Sequence, residues 1–294
     1  MKPLIYLLII LSILLLPMLV ADKITDNLYN KTYTNMKYTD YLNADYYNRR
    51  NQDMEGEKKV SDFLDSKLYP YLQTNNEFPF ARNYDENLQY KGVDCQFAIQ
   101  NLGCNYICDE KCALYYANKN LQTFALEIDY YPNRKKKQNK ETEKKLHIGW
   151  LLDNSHINNS YNFIYLDSVH NDEGDYSVDK FQTNHIEKVT CYIVRKDVLH
   201  KYLYGLGWTA EKLLEKSKQI RETNGKCEMI YPAENPINNI KFHINTNTQE
   251  KSVNILVTRK ALEKLADFVY RYDFGNVTFN YVRQNTTSKF FIKK

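Results

Sequence analysis

Glycine and proline are scarce in this chain, with 9 and 7 residues among 294. This scarcity excludes a collagen-like chain and argues against an extended disordered one, because both need far more of these two residues. The sequence also contains no G-x-S-x-G, H-E-x-x-H or Walker-type phosphate loop. It therefore lacks the signatures of the common serine hydrolases, zinc proteases and NTPases.

The charge balance is only mildly basic. Lysine and arginine total 40 against 36 aspartate and glutamate, which gives a formal net charge of +4. Such a charge permits a nucleic-acid partner without requiring one. The six histidines are scattered, and none is paired at the spacing of metal ligands.

Two short apolar runs carry acidic residues. The first is Gly92-Val93-Asp94-Cys95, and the second is Cys108-Asp109-Glu110-Lys111-Cys112. Side chains alternate between the two faces of a strand, so Asp109 and Lys111 are expected on one face and Glu110 on the other. Asp94, on a neighbouring strand, would then approach Asp109.

A carboxylate pair of this kind indicates a divalent cation. Two close carboxylates repel each other, and each raises the pKa of the other unless a cation lies between them. An oxygen site with few protein ligands suits Mg²⁺, and Mn²⁺ is an alternative. Asp94 and Asp109 are therefore the expected metal ligands, and Lys111 would orient a water or neutralise charge on a phosphate.

The cysteines of the same region allow a second interpretation. Cys104, Cys108 and Cys112 recur every four residues, which would form one stripe on a helix. Such a stripe, with Cys95, could be a zinc cluster or a disulfide staple, although the spacing is not that of a zinc ribbon. In a strand, Cys108 and Cys112 instead lie opposite Asp109 and Lys111. We expect the strand, because it accounts for more residues at once.

The flanking segments extend the pattern. Residues 57–72 have the apolar spacing of a helix, and Asn118-Lys119-Asn120-Leu121-Gln122-Thr123-Phe124-Ala125-Leu126-Glu127 ends in a strand-like run. A helix with Glu, a strand with Asp and a strand with Asp-x-Lys resemble the PD-(D/E)XK nuclease superfamily, and in particular its uncharacterised bacterial members. The resemblance covers residues 46–272. It implies an α/β fold, with a restriction-endonuclease-like core of a mixed central sheet flanked by helices and a C-terminal strand–helix extension.

The resemblance implies a role for Glu57, and positions along the chain indicate roles for further residues. Glu57, on the first helix, would add to the metal shell, and Glu127 could approach the same cluster or form a structural salt bridge. Gln89 and Lys91, just before Asp94, could support substrate contacts. The densest basic cluster, Arg134-Lys135-Lys136-Lys137, could reach nucleic-acid phosphates, although a solvated hairpin turn is the preferred interpretation.

These observations lead to one expected function and one alternative. The expected function is metal-dependent hydrolysis of phosphodiester bonds in DNA, or less favourably RNA, by a chain that could act as a homodimer. The alternative is a secreted or membrane-anchored binding or structural domain on the same fold, braced by disulfides and without catalysis.

The first residues predict export. Met1-Lys2 precedes an apolar run from Leu4 to Val20 that ends at Ala21, the pattern of a signal peptide. Cleavage would give a secreted or lumenal protein, and an uncleaved leader would anchor it in a membrane. The expected organisation is a leader over 1–21, a polar arm over 22–51, the nuclease domain over 52–272 and a tail over 273–294.

One local pattern occurs twice in the C-terminal part. A strand passes through Arg195-Lys196 into a helix, and a second strand does the same through Arg259-Lys260. Basic residues at such turns could contact a nucleic-acid backbone, because helix N-termini also bind anions. The preferred interpretation of both is exposed turn residues. Between the two, Thr209 predicts the N-cap of a helix that runs to about Arg221.

Overall fold

The computed structural model describes residues 46–72, 80–99, 104–132, 145–170, 181–246, 250–282 and 289–291. All of them belong to one compact unit that spans residues 37–294. The predicted leader, most of the predicted arm and the basic cluster Arg134–Lys137 lie outside the described residues. Within the described ranges, none of the helices combines the length and the apolar character needed to cross a membrane.

The described ranges contain five α-helices. They are α1 (Tyr46–Lys67), α2 (Glu86–Gln89), α3 (Lys196–Gly205), α4 (Ala210–Glu222) and α5 (Arg259–Leu265). Helix α1 begins inside the segment 22–51 that we expected to be a polar arm, and a 3₁₀ turn over Tyr69–Leu72 follows it. The predicted cap of α4 is confirmed, because the Thr209 side chain accepts a hydrogen bond from the backbone N–H of Lys212.

Eight strands form a large mixed sheet in the order β1-β2-β3-β6-β7-β11-β12-β13. Their bounds are β1 Ala81–Arg82, β2 Cys95–Ile99, β3 Cys104–Cys112, β6 Ser160–Val169, β7 Ile186–Arg195, β11 Phe268–Asp273, β12 Asn276–Tyr281 and β13 Lys289–Phe291. Strands β3 and β6 pair in parallel, and the other neighbours are antiparallel. The segment 273–294, expected to be a tail, therefore contributes two strands to this sheet.

A second sheet of five antiparallel strands has the order β5-β4-β10-β9-β8. Its strands are β4 Thr123–Tyr130, β5 His147–Ile148, β8 Ile230–Tyr231, β9 Ile240–Ile244 and β10 Val253–Thr258. The chain is thus α/β, with a large mixed sheet, a second antiparallel sheet and helices, which confirms the predicted class.

The two faces of the large sheet bury different cores. Phe63 and Leu64 of α1 pack with Cys95 and Cys108 on one face. On the other face, aromatic residues of β6 pack with the second sheet and with α3 and α4; the residues include Tyr161, Phe163, Leu126, Ile255, Leu199 and Leu213. Alternation along β3 therefore decides which core each of its side chains meets.

Candidate active site

The β2–β3 hairpin places Asp94 beside Asp109. Strand β3 covers Cys104–Cys112, so the strand interpretation of this region is confirmed over the helical one. Cys95 pairs with Cys108 in the antiparallel register, which brings the preceding Asp94 next to the following Asp109. The backbone N–H of Glu110 donates to Asp94 Oδ2 at 2.7 Å, so β3 itself fixes this carboxylate.

A tight turn delivers Asp94 to this position. Gly92 has φ +76°, a conformation that L-residues with a side chain rarely adopt. A Cβ at Gly92 would lie 3.0 Å from Asn158 Oδ1 and 3.1 Å from His156 Nδ1. Glycine is therefore required here by both the turn and the close packing of the loop that carries Asn158 and His156.

Asp109 and Lys111 form a buried ion pair. Lys111 Nζ lies 2.7 Å from Asp109 Oδ1, and the Asp109 side chain is only 3% exposed. The ammonium also lies 5.1 Å from the centroid of the Trp150 ring. Burial by itself would lower the pKa of Lys111, but the charges of Asp109 and Asp94 outweigh burial and raise it. Lys111 is therefore held as a cation.

Glu110 points to the opposite face of β3, as the alternation predicts. Arg82 Nη1 donates to Glu110 Oε2 at 2.5 Å, and Ser61 Oγ donates to the same oxygen at 3.3 Å. The Tyr69 hydroxyl donates to the other oxygen of Glu110. These contacts fix the rotation of β3 about its own axis, which keeps Asp109 and Lys111 on the face towards Trp150.

Electrostatics at Asp94 are unfavourable for a free carboxylate. Burial, the charge of Asp109 and the charge of Glu110 raise the pKa of Asp94 to about 8, although Lys111 acts in the other direction. Without a cation, Asp94 therefore holds a proton more readily than a free carboxyl does. A cation that replaced this proton would relieve the repulsion.

Glu127 approaches the same cluster from the second sheet. Burial raises the pKa of its carboxyl to about 7, while the positive charge of Lys111 acts to lower it. Gly149 packs directly against this residue, because a Cβ there would lie 2.5 Å from the backbone oxygen of Glu127. The two sheets thus bring Lys111 into electrostatic contact with carboxylates on both sides.

The loop 153–159 closes the site and is rigidly attached to the hairpin. The backbone N–H of Ile157 donates to the carbonyl of Lys91 at 2.9 Å, and that of Asn159 donates to the carbonyl of Ile107 at 3.0 Å. The loop therefore spans the turn before Asp94 and the strand that carries Asp109.

Three buried polar atoms around this loop have no hydrogen-bond partner among the described residues. They are Asp109 Oδ2, His156 Nδ1 and Asn158 Oδ1. Burial is the largest influence on His156 and lowers its pKa, so the ring is mostly neutral at pH 7. Buried polar groups in folded proteins are nearly always satisfied, so the three atoms together indicate a site for water, a cation or a ligand.

Three of the other residues that the sequence predicted for the site lie in the described part of the chain. Glu57 is on α1 with an exposed side chain, and its charge acts on Lys111. Gln89 ends α2 and donates to the carbonyl of Asn83 at 3.0 Å, and Lys91 is exposed in the turn before Asp94. Arg134, Lys135, Lys136 and Lys137 lie outside the described residues.

Sequence reasoning missed His156 and Asn158. Both lie about 50 residues from Asp109 along the chain, in a polar loop with no recognisable spacing. The only local signal is the cluster of Asn and Ser just before a strongly apolar strand, and such clusters are typical of any turn.

The alternative chemistry of the cysteines finds little support. Of the six cysteines, the five whose side chains are described are free thiols: Cys95, Cys108, Cys112, Cys191 and Cys227. Nor do any three His, Cys, Asp or Glu side chains in the described part of the chain converge as ready metal ligands. A cation at this site would have to complete its shell with water or substrate.

Comparison of the chain with models of protein families, with curated proteins and with solved structures found no match. The chemistry of the site therefore rests on its geometry.

Proposed function

We propose that this chain is a metal-dependent nuclease with a PD-(D/E)XK type of site on a restriction-endonuclease-like core. The observation that carries the proposal is the juxtaposition of Asp94, Asp109 and Lys111. The first is fixed by the backbone of β3, and the other two form a buried ion pair on one face of that strand. A helix, then a strand preceded by Asp, then a strand with Asp-x-Lys follow the order that the resemblance implies.

The residues present fit a hard divalent cation. Asp109 Oδ2 is a buried acceptor without a partner among the described residues, and Asp94 carries a pKa that a neighbouring cation would lower. Asp94 and Asp109 would hold the ion, with few protein ligands, as Mg²⁺ or Mn²⁺ prefers. Such an ion, when bound, polarises a phosphoryl oxygen and lowers the pKa of a bound water.

The chain's own residues would position and stabilise the substrate. The Lys111 ammonium, kept charged by Asp109 and confined beside Trp150, would neutralise negative charge that develops on the phosphoryl oxygens. His156, whose lowered pKa favours the neutral ring and whose Nδ1 has no hydrogen-bond partner among the described residues, would accept a hydrogen bond from water at the site. Glu110 serves from the opposite face, where its contact with Arg82 holds β3 in place.

The proposal is tested by incubating the purified chain with plasmid and single-stranded DNA and RNA in Mg²⁺, Mn²⁺ or EDTA. We expect cutting that requires the metal and is lost in Asp109→Asn. Lys241→Ala, at an exposed position of β9, should cut like the wild type.

A second measurement separates metal binding from cutting. Mg²⁺ or Mn²⁺ should raise the melting temperature of the wild type, and less so that of Asp109→Asn, because a ligand that binds only the folded state stabilises it. A folded chain that neither cuts nor responds to metal would contradict the proposal and favour a non-catalytic binding domain on the same fold.

A further inference from the structure

A cleft opens next to the carboxylate pair. Its volume is about 550 Å³, within the range of small-ligand sites. It is lined by Asn105, Asn154, Asn158, Asn159, Arg195, Lys196, Asp197 and His200, and we call it the asparagine cleft. Two of its residues also face the carboxylate site. Asn158 lies against Gly92, two residues before Asp94, and the charge of Asp109 acts on Lys196.

One wall of the cleft carries positive charge at the start of α3. Arg195 is the N-cap of this ten-residue helix, but its side chain makes no capping hydrogen bond. Arg195 Nε is compensated by Asp267 Oδ2 at 3.1 Å, and Asp197 is bound by Lys201 at 3.1 Å.

Lys196 is different from these neighbours. Its ammonium contacts the carbonyl oxygens of Asp153 and His156 at 3.4 and 3.5 Å, and among the described residues it lies within ion-pair distance of no carboxylate. A cation at the positive end of a helix is suited to a phosphate.

The other wall contains a buried acceptor without a partner. Asn158 is 4% exposed, and its Nδ2 donates to the carbonyl of Ser160 at 3.0 Å. Its Oδ1 has no hydrogen-bond partner among the described residues. A sugar hydroxyl, the exocyclic amino group of a base, or a water would supply this oxygen with the donor that it lacks among the described residues. The Asn159 side chain, by contrast, bonds to β3 through both ends of its amide. Its Oδ1 accepts from the backbone N–H of Ile107, and its Nδ2 donates to the carbonyl of Asn105.

The second Arg-Lys turn shows what such a turn looks like when it has no site. Arg259 binds Asp167 through two hydrogen bonds of 2.6 and 2.8 Å and also donates to the Tyr192 hydroxyl at 3.0 Å. The helix that follows is capped by Thr258, whose hydroxyl accepts from the backbone N–H of Ala261. The arginine of each turn is thus paired with a carboxylate, and the turns differ in their lysines, because Lys196 lines the cleft whereas Lys260 is exposed to solvent.

We propose that the asparagine cleft binds one nucleotide of the nucleic-acid strand that passes the Asp94–Asp109 site. The Lys196 ammonium takes its phosphate at the cleft wall, and Asn158 Oδ1 accepts a hydrogen bond from its sugar or base. The inference rests on the proposed nuclease function for the identity of the strand. It adds the place where the strand is held beside the reacting phosphodiester.

The test is fluorescence anisotropy with a labelled single-stranded DNA oligonucleotide and its RNA counterpart, in Ca²⁺ and in EDTA, using the full chain. Lys196→Ala should weaken binding about tenfold at low salt and reduce the salt slope by about 0.7, the value for one single-strand phosphate contact. Lys260→Ala is the matched control, because it removes the same charge from the equivalent, exposed position of the other turn. It should bind like the wild type.

Asn158→Ser tests the cleft with a substitution that leaves the charge unchanged. It should weaken binding severalfold without changing the salt slope, since no charge is removed. If this buried variant does not fold, Asn154→Ala at the exposed rim of the same wall replaces it, with a smaller expected loss.

The outcomes separate this inference from the proposed function. Equal binding by Lys196→Ala and wild type, or equal losses in Lys196→Ala and Lys260→Ala, would overturn the cleft even if the wild type cuts DNA. Binding that depends on Lys196, in a chain that never cuts, would support the cleft and contradict the nuclease. A wild type that neither binds nor cuts nucleic acid would contradict both the role of the cleft and the nuclease function.

Discussion

Lys111 Nζ lies 2.7 Å from Asp109 Oδ1, in a pair whose carboxylate is almost fully buried. One oxygen of Asp109 is thus neutralised by the chain itself, whereas Oδ2 has no partner among the described residues. The site therefore carries charge, and only one of the two Asp109 oxygens has a partner among the described residues. This is the condition expected of a centre that binds a further cation or a polar substrate.

Replacing Lys111 tests its role in the chemistry. Lys111→Ala should reduce the rate of metal-dependent cutting by at least about 100-fold, because a preorganised positive charge next to the phosphate is lost. Lys111→Arg, which keeps the charge, should recover part of the rate. Both rates are measured under single-turnover conditions. Full activity in Lys111→Ala would show that this ammonium has only a structural role beside Asp109.

The pH dependence of stability should depend on Glu127. Its pKa is raised to about 7 in the folded chain, so the unfolded chain ionises first as the pH rises. The stabilisation from this group is present in acid and is lost between about pH 4.5 and pH 7. Glu127→Gln should therefore gain stability relative to the wild type over that interval, by up to about 3 kcal/mol.

The measurement is urea unfolding at several pH values in EDTA. Glu215→Gln, at an exposed position of α4, serves as the control and should follow the wild-type profile. A constant difference between Glu127→Gln and wild type from pH 4.5 to pH 7 would contradict the raised pKa.

Two glycines with similar backbones should respond differently to alanine. Gly92 and Gly207 have φ values of +76° and +87°, but only at Gly92 would a Cβ meet Asn158 and His156. Gly207→Ala should cost about 1 kcal/mol from backbone strain alone. Gly92→Ala should cost about 1–3 kcal/mol more from overpacking, and it should also reduce cutting, because the loop that closes the site is displaced.

Denaturant unfolding and cleavage assays on both variants provide this comparison. Equal costs in the two variants would mean that the loop 153–159 yields easily, and its fixed position in the site would then be wrong.

The ion pairs of Arg82, on the face of β3 opposite Asp109, should be important for stability. Arg82 bonds both Asp65 and Glu110 at 2.5 Å, and its side chain is only 8% exposed. Arg82→Ala would leave a buried carboxylate without its partner and should destabilise the chain by about 3–5 kcal/mol. Lys58→Ala breaks an exposed pair with Asp62 on α1 and should cost at most about 0.5 kcal/mol. Similar losses of stability in Arg82→Ala and Lys58→Ala, measured by thermal unfolding, would show that the Arg82 ion pairs do not stabilise the chain.

The local chemistry of β3 was predictable from sequence. Alternation along an extended strand follows from backbone geometry, so the separation of Asp109 and Lys111 from Cys108 and Cys112 needed no knowledge of the rest of the chain. The N-cap at Thr209 was predictable for the same reason, because a cap involves only neighbouring residues. The restriction-endonuclease-like topology and the roles of the predicted residues remain predictions.

The extent of the sheets was only partly predictable. Residues 273–294 were predicted to be a tail, yet β12 pairs with β11 across the two-residue turn Phe274-Gly275, which is a local hairpin that the prediction missed. What the sequence does not show is the pairing of β11 with β7, because those two strands lie far apart along the chain.

The sequence by itself determined which residues of the Asp94 and Asp109 runs can share a face, because that depends only on spacing. The tertiary structure decided what surrounds them. It brought His156 and Asn158 to the site through hydrogen bonds to Lys91 and Ile107. It also placed Lys196 of one Arg-Lys turn in the wall of a cleft and left Lys260 of the other exposed. Two similar local patterns differ in this way because the surroundings of a charge are set by long-range packing, which no local spacing encodes.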